Sequence, residues 1–417
     1  MRVLIPCFGT HGDLNPYIAL SRELLARGHS PTIVTHGVYR TAVEAWGIGF
    51  RAARPDAPEY QELFPAAMDP RRGPEVVIRE ILVPRIRDSY EDTMEAAADA
   101  DLVVTHPVAF AGPIVAEERG LPWVSTVLSP LSFFSLHDLP VFPQAPWAKR
   151  VARLPGAARL MVTAIRALTR PWVEPVERLR AQRGLPSRGH PLFEGQHSPR
   201  GVLALFSRVL ARPRPDWPRR VSLTGFPFHN PAAEDAAEAA RLEAFLSAGP
   251  PPVVFTLGTS AVQVAGEFYE ESLAAARRLG LRAALLIGAG HPLAGLAEDD
   301  AIAVERAPHD ALFPRAAAIT HHGGIGTLGQ ALRAGRPMLV VPHAHDQPDN
   351  AWRARRLGVA RVLRPGRYRA GRVARELGAL QRPEYAERAE AVGRIVREER
   401  GAVAACDRIE AVAAGLG

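Results

Sequence analysis

Lysine is almost missing from this chain of 417 residues: of 51 basic side chains only Lys149 is a lysine. A phosphate loop of the Gly-Lys-Ser/Thr kind is therefore excluded, and Schiff-base or pyridoxal chemistry would have to rest on Lys149 in a plain Trp-Ala-Lys-Arg setting. Cysteine is as scarce. Cys7 and Cys406 lie far apart without metal-ligand spacing, which supports neither a disulfide framework nor a zinc site, and Cys7 reads as a small apolar residue of a buried strand. No run of about 18 or more apolar residues occurs, so no membrane-spanning helix is expected. Met1-Arg2 leads straight into Val3-Leu-Ile5 without the regions of a secretory leader, and the expected location is cytoplasmic. The formal charge of +7 comes from arginine scattered among Glu and Asp along helical patterns, a bias that fits a GC-rich genome. With no aromatic-interleaved basic platform, no nucleic-acid partner is expected.

What the chain does contain is alternation. Short apolar strands at 3–5, 32–35, 102–105, 123–127, 203–206 and 221–224 are interleaved with helical patterns at 16–26, 40–45, 91–98 and 113–119. After a composition break ending in Gly249-Pro-Pro-Pro252, the pattern restarts with strands at 253–257, 283–287, 302–304, 316–319 and 337–341. The expected fold class is α/β, two facing Rossmann-like doubly wound domains with the active site in the cleft between them, because such sheets bind ligands beyond the carboxyl ends of their strands. The expected boundaries are a first domain at 1–228, a linker at 229–250, a second domain at 251–395 and a C-terminal helix at 396–417 packing back on the first domain.

Two constellations carry chemistry. The first is Ile319-Thr-His-His-Gly-Gly-Ile-Gly-Thr-Leu328 followed by Pro337-Met-Leu-Val-Val-Pro-His-Ala-His-Asp-Gln-Pro-Asp-Asn350. Its glycines let a backbone approach an anion, and a helix at 327–334 would turn its free amides toward that anion. His343, His345, Asp346, Gln347 and Asn350 give the density of hydrogen-bonding groups that a polyhydroxylated ligand needs, so the whole reads as a sugar-diphosphate site. His343 and His345 could hold a metal only with a third ligand, and no metal is expected. The second constellation is Gly9-Thr-His-Gly-Asp-Leu-Asn-Pro16. Asn15 with Pro16 reads as a helix N-cap and first turn. That leaves His11 and Asp13, two ionisable groups held between glycines at a strand mouth, as candidate catalytic residues.

Together these segments resemble nucleotide-sugar-dependent glycosyltransferases of the two-domain GT-B fold, the UDP-glycosyltransferase superfamily, in the branch of plant natural-product, bacterial antibiotic and sterol enzymes. The resemblance covers essentially the whole chain and is strongest from Arg306-Ala-Pro-His309 to Asn350. It implies that His321 and the amides of Gly323, Gly324, Gly326 and Thr327 bind the diphosphate and that Thr259 and Ser260 also touch phosphate. Pro308 and His309 would lie near the nucleoside base, and Asp346 and Gln347, with Asn350, would bind the donor sugar. Asp13 falls where many members carry a base histidine and several carry aspartate, and His11 is the alternative base. Where the family has an aspartate that orients the base histidine, this chain has His106, so that relay does not transfer intact. His106 is then either a strand-end residue with a satisfied hydrogen bond or, with Phe133 and Phe134, part of the acceptor pocket. Gly329 and Gln330 stand where the plant signature has a ribose-binding acid, which leaves both UDP and dTDP donors open.

The function so implied is an inverting, metal-independent transfer of a sugar, UDP-glucose being the favoured donor, to a hydroxyl of a lipophilic natural product or sterol-like acceptor. No cofactor is needed beyond the nucleotide sugar as co-substrate. The alternatives are a sugar-nucleotide epimerase or hydrolase of the same fold and a non-catalytic nucleotide-sugar-binding auxiliary protein. The acceptor region is weakly encoded. Residues 130–142 are rich in Leu, Phe, Ser and Pro, and Leu154, Ala158, Met161, Ile165, Leu168 and Trp172 form an apolar stripe. A helix packed on its own domain is preferred to an acceptor pocket or a membrane-surface contact.

Overall fold

A computed structural model describes residues 1–152, 154–231 and 235–416, except for the side chains of Thr259, Ser260 and Gln263. The chain divides into two compact units, Met1–His229 with Glu399–Gly417, and Asn230–Glu398. Each is built on one parallel sheet, and the strands that are buried throughout are the continuous apolar runs such a sheet requires.

The first unit contains β1 (Arg2–Pro6), β2 (Ser30–Thr35), β3 (Gly49–Ala52), β4 (Leu102–Thr105), β5 (Trp123–Val127), β6 (Val202–Ala204) and β7 (Val221–Leu223), in the order β3-β2-β1-β4-β5-β6-β7. Its longer helices are α1 (His11–Ala26), α2 (Ile86–Ala96), α3 (Ala111–Glu118) and α4 (Ala157–Gln182). The last helix of the chain, Gly401–Ala413, packs on α1, and Arg27 ties the two together through Asp407 and Glu410, each at 2.7 Å.

The second unit contains β8 (Val253–Thr256), β9 (Ala283–Leu286), β10 (Ala301–Val304), β11 (Ala318–His321), β12 (Met338–Val340) and β13 (Ala360–Val362), in the order β10-β9-β8-β11-β12-β13. The helices that matter below are α5 (Ala236–Ser247), α6 (Phe268–Arg278), α7 (Ile325–Ala334) and α8 (Gln347–Arg356). In each sheet the strand order reverses once, between β1 and β4 and between β8 and β11, where parallel α/β sheets bind their ligands. The loops leaving β1 and β11 carry the base loop and the glycine turn, and the rest of the first constellation leaves the next strand, β12.

Several expectations need correction. The segment 229–250, read as a linker around an Ala/Glu-rich helix, does hold a helix, α5, and it belongs to the second unit. The stretch 396–417 is not one helix: a helix over Pro383–Glu398 stays with the second unit and the chain crosses to the first at Glu399. The stripe on α4 also differs. Its buried positions are Ala158, Thr169, Val173, Val176, Leu179 and Arg180, whereas Leu168 and, just before the helix, Leu154 are 71% and 62% exposed. Strands β3 and β13 were not anticipated; both are short edge strands and only one of the four residues of β3 is buried, so neither has the unbroken apolar run of a central strand. Among the described residues no helix is long and apolar enough to cross a membrane.

Candidate active site

Strand β1 delivers the chain to a tight turn. Gly9 takes a positive φ of 130°, and a Cβ there would run into the Asp13 carboxylate. Thr10, not Asn15, caps α1, so the helix begins at His11, and Asn15 and Pro16 lie inside it. The reason is a reciprocal box. The Thr10 hydroxyl accepts the Gly12 N–H at 3.3 Å, while Asp13 Oδ2 accepts the Thr10 N–H at 2.8 Å and the Thr10 hydroxyl at 3.3 Å. The Thr-x-x-Asp spacing is a legible signal that the Asn-Pro pair masked. The Asp13 side chain remains 37% exposed, and its other oxygen, Oδ1, faces His106 Nε2 at 3.8 Å. Burial pushes the Asp13 carboxyl up, but His106, and after it the Thr10 donors, outweigh burial and hold it below the usual carboxylate range.

Around this loop stands a cluster that no spacing in the sequence announced. The His11 ring meets Tyr39 edge-on at 4.7 Å, and the Tyr39 hydroxyl donates to the Gly9 carbonyl at 3.2 Å. His36 is buried between the Pro55 carbonyl at 2.8 Å and the Tyr60 hydroxyl at 3.1 Å, and burial lowers its pKa. Phe8 packs against His36 and Tyr60.

The second site forms where β11 ends. His321 is fully buried in that strand; its Nδ1 accepts the Gly323 N–H at 3.1 Å, and Nε2 has no partner. Gly323 has φ of 91°, and a Cβ on it would stand 2.8 Å from Val340 and 3.2 Å from the Gln347 carbonyl, so only glycine fits. Gly324 then caps α7 without a side chain. The first-turn amides of Ile325, Gly326 and Thr327 therefore have no capping group, and the positive end of the helix dipole faces the same turn. His322 packs over Gly258 at the end of the neighbouring strand β8, where a Cβ would come within 2.5 Å of its ring. Thr259 and Ser260 follow Gly258 in a short helical turn, Gly258–Ala261; their side chains lie outside the described residues.

The loop after β12 is braced from within. Asn350, completely buried, donates to the Gly323 carbonyl at 3.0 Å and to Asp346 Oδ2 at 2.8 Å, so its amide nitrogen orients the site while its Oδ1 is unpartnered. Gln347 Oε1 accepts the His343 and Ala344 N–H groups at 2.8 and 3.1 Å, which leaves only its amide nitrogen for a ligand. A buried ion pair, Asp349 with Arg353 at 2.7 Å, anchors α8 beneath this loop. Sequence reasoning passed over it, although its four-residue spacing is a helical pairing signal. His309, capped by Pro308, stacks on Phe313 at 4.3 Å. Burial lowers His309 and His343 to about 4. Burial first and His309 second bring His321 to about 3, and His322 is pushed down by burial and by the other histidines. Each is a neutral ring at neutral pH. Gln330 is committed to Asn230.

Of the residues read as acceptor-binding, Phe133 is buried and stacks on Trp217 at 4.0 Å, so it packs the unit rather than lining a pocket. Phe134 is half-buried with φ of 46° and packs against Phe193 at 4.4 Å. The only lysine, Lys149, pairs with Asp138 at 3.1 Å in the same region. His106 is 6% exposed and sits beside a cavity of about 20 Å³, far below the few hundred Å³ of a small-molecule pocket.

Residues 289–402 match the family described as erythromycin biosynthesis protein CIII-like, C-terminal domain. The chain is 34% identical to O-mycaminosyltylonolide 6-deoxyallosyltransferase of Streptomyces fradiae, over 98% of this chain and 97% of that one. A sterol 3-beta-glucosyltransferase of Gibberella zeae is 27% identical over 96% of this chain, which spans 28% of that longer relative. In fold, the chain is similar to the glycosyltransferase VinC, solved in complex with DTDP, with a TM-score of 0.72 at 22% identity over 100% of both chains. Identity at this level along nearly the full length of a transferase, on two parallel-sheet units of this order, means that the chain belongs to the UDP-glycosyltransferase superfamily, among its GT-B natural-product and sterol glycosyltransferases.

Proposed function

We propose that the protein is an inverting, metal-independent glycosyltransferase that moves a deoxysugar from a thymidine-diphosphate donor to a hydroxyl of a lipophilic natural product. The observation that carries this reading is the set of buried polar atoms without partners at the ends of β11 and β12: Thr320 Oγ1, His321 Nε2, His322 Nδ1, His343 Nε2 and Asn350 Oδ1. Leaving such atoms unpaired costs about 1–3 kcal/mol each, a cost that a bound polar ligand removes. A diphosphate placed against the α7 amides would also meet a neutral Nε2–H from His321, so growing charge on the leaving group is stabilised by aligned dipoles. Asp346 and the Gln347 amide nitrogen suit sugar hydroxyls.

Asp13 supplies the other half of the chemistry. Its Oδ1 takes the proton of the acceptor hydroxyl as the new bond to the anomeric carbon forms and the bond to the diphosphate breaks on the opposite face, a single displacement that inverts the centre. The deoxysugar and the thymidine nucleotide are supported by the name of the Streptomyces fradiae relative, by the DTDP bound to VinC and by Gly329, which offers no carboxylate to ribose hydroxyls. UDP-glucose is the competing donor. The ordered base loop favours catalysis over an auxiliary role.

The test is a mass-spectrometric screen of dTDP- and UDP-sugars against macrolide, phenolic and sterol acceptors. An adduct heavier by one deoxyhexose is expected. Donor consumed without adduct would move the reading to an epimerase or hydrolase, and donor bound but untouched to an auxiliary protein. EDTA should leave the rate unchanged; loss restored by Mg²⁺ would overturn metal independence.

A further inference from the structure

We propose that His106 is a positioning residue for Asp13, donating from Nε2 to the carboxylate that acts as base, so that the carboxylate does the proton transfer and the imidazole holds it in place. This rests on the reading of Asp13 as the base and goes beyond it in giving the base a partner.

Exposure separates the two roles. The Asp13 side chain is 37% exposed, whereas His106 is 6% exposed, so an acceptor can reach the carboxylate but not the ring. The ring is also fixed. The His106 backbone N–H donates to the Pro6 carbonyl at 3.2 Å, the imidazole stands edge-on to Tyr17 at 5.8 Å, and the Tyr17 hydroxyl is held by Thr126 at 2.6 Å. Nδ1 accepts the Val108 N–H at 3.3 Å, which leaves Nε2, a buried atom without another partner, to carry the donor proton. That Nε2 faces Oδ1 at 3.8 Å, and a closure of roughly 0.8 Å would make an ordinary hydrogen bond.

The two oxygens of Asp13 are divided accordingly. Oδ2 is spent on Thr10, and Oδ1 is left for His106 and for the acceptor proton. His106 neither gains nor loses a proton in the step. Its work is to aim the carboxylate and to offset the upward push of burial on its pKa. The other titratable groups facing Asp13 are Cys7, Tyr17, Tyr39, Tyr60 and His36, and His11 lies on the same turn. Burial raises the thiol and the three phenols and lowers His36, so none of these carries charge near neutral pH.

The experiment compares His106→Ala and His106→Gln with the parent, measuring kcat, both KM values and donor affinity from pH 4 to 9. His106→Ala should lower kcat about ten- to a hundredfold, the range for losing an outer partner that orients a reacting group. It should also move the acid limb of the rate to higher pH and leave donor affinity unchanged. Glutamine, which keeps an N–H donor and does not titrate, should restore most of the rate and return the limb. A fall in kcat with an unmoved limb, or a rise in acceptor KM at full kcat, would overturn the proposal. An Asp13→Asn variant separates the two failures. If it keeps transfer, the base reading falls; if it is inactive while His106→Ala keeps both rate and limb, only the role of His106 falls.

Discussion

The two units solve the same topological problem with opposite electrostatics. Each has a parallel sheet whose strand order reverses once, and each carries a candidate site in the loops leaving that point. In the first unit the loop presents a partly exposed carboxylate, kept ionised by donors against the pull of burial. In the second, the turn after β11 is lined by glycines, open helix amides and histidines that burial holds neutral. A base needs a charge that can be given up, so it stays near water. A donor site that stabilises a charge appearing only in the transition state does better with fixed dipoles that need no reorganisation. The shared topology therefore sets where chemistry occurs, and the local burial sets which kind.

The sharpest way to break this contrast is Asp13→Asn. Transfer should fall by about a hundred- to ten-thousandfold, the usual reach of a general base, with donor affinity unchanged by calorimetry. A comparable loss of donor affinity would show that the carboxylate serves the nucleotide and that the division of labour is wrong. Next in size is His321→Ala, which removes one neutral donor from the second site. A loss of about a hundred- to a thousandfold in kcat is expected, as for a single oxyanion donor. If a rise in donor KM accounted for the whole effect, His321 would be a ground-state ligand only.

The same contrast explains what the sequence disclosed. The turn after β11 was legible as a candidate donor site because Gly323 takes a positive φ and Gly324 lies where a Cβ would strike the His322 ring, and because the histidines and Asp346-Gln347 follow around one strand–helix–strand unit. The fold class was legible from the apolar runs, while β3 and β13 at the sheet edges were not, since edge strands bury too little to leave a pattern. At the base loop Asp13 stood out as an ionisable residue between glycines, yet the cap was misplaced because Asn15-Pro16 imitates a helix start. The approach of His106 to Asp13 depends on β1 and β4 being neighbours, which no local spacing records. Phe133 looked like pocket lining because Trp217, which covers it, is distant in sequence. Asn350 was read as a sugar ligand, while its amide nitrogen is spent on orienting Gly323 and Asp346.

Glycine substitutions sharpen the comparison at smaller cost. Gly323→Ala meets both a positive φ of 91° and Val340 at 2.8 Å, so the turn must distort, and donor affinity should drop about tenfold or more. Gly12→Ala meets nothing closer than the Thr10 hydroxyl at 3.5 Å and lies in the first turn of α1. It should raise stability by up to about 1 kcal/mol, seen as a higher Tm. Equal tolerance at both positions would mean that the backbone of the donor turn is less constrained than its contacts imply.

The smallest expected effect is none at all, and it tests the electrostatic assignment most directly. His321 titrates near 3, His309 and His343 near 4, each lowered chiefly by burial, and His322 is lowered as well. A group whose pKa is depressed in this way gains its proton only when the pH falls through the depressed value, so these rings carry no charge change between pH 5 and 9. The donor nucleotide's diphosphate is fully ionised across that window. Affinity for an intact dTDP-sugar, whose terminal phosphate is esterified and so has no proton left to lose near about pH 6, should therefore be flat from pH 6 to 9 when measured by calorimetry in buffers matched for ionic strength. If one of these rings instead had an ordinary histidine pKa of about 6.5, its protonation would strengthen anion binding, and affinity would rise as the pH fell from 7.5 to 6. Such a rise would show that the second unit holds its phosphate by mobile charge after all, and the difference between the two sites would reduce to one of position.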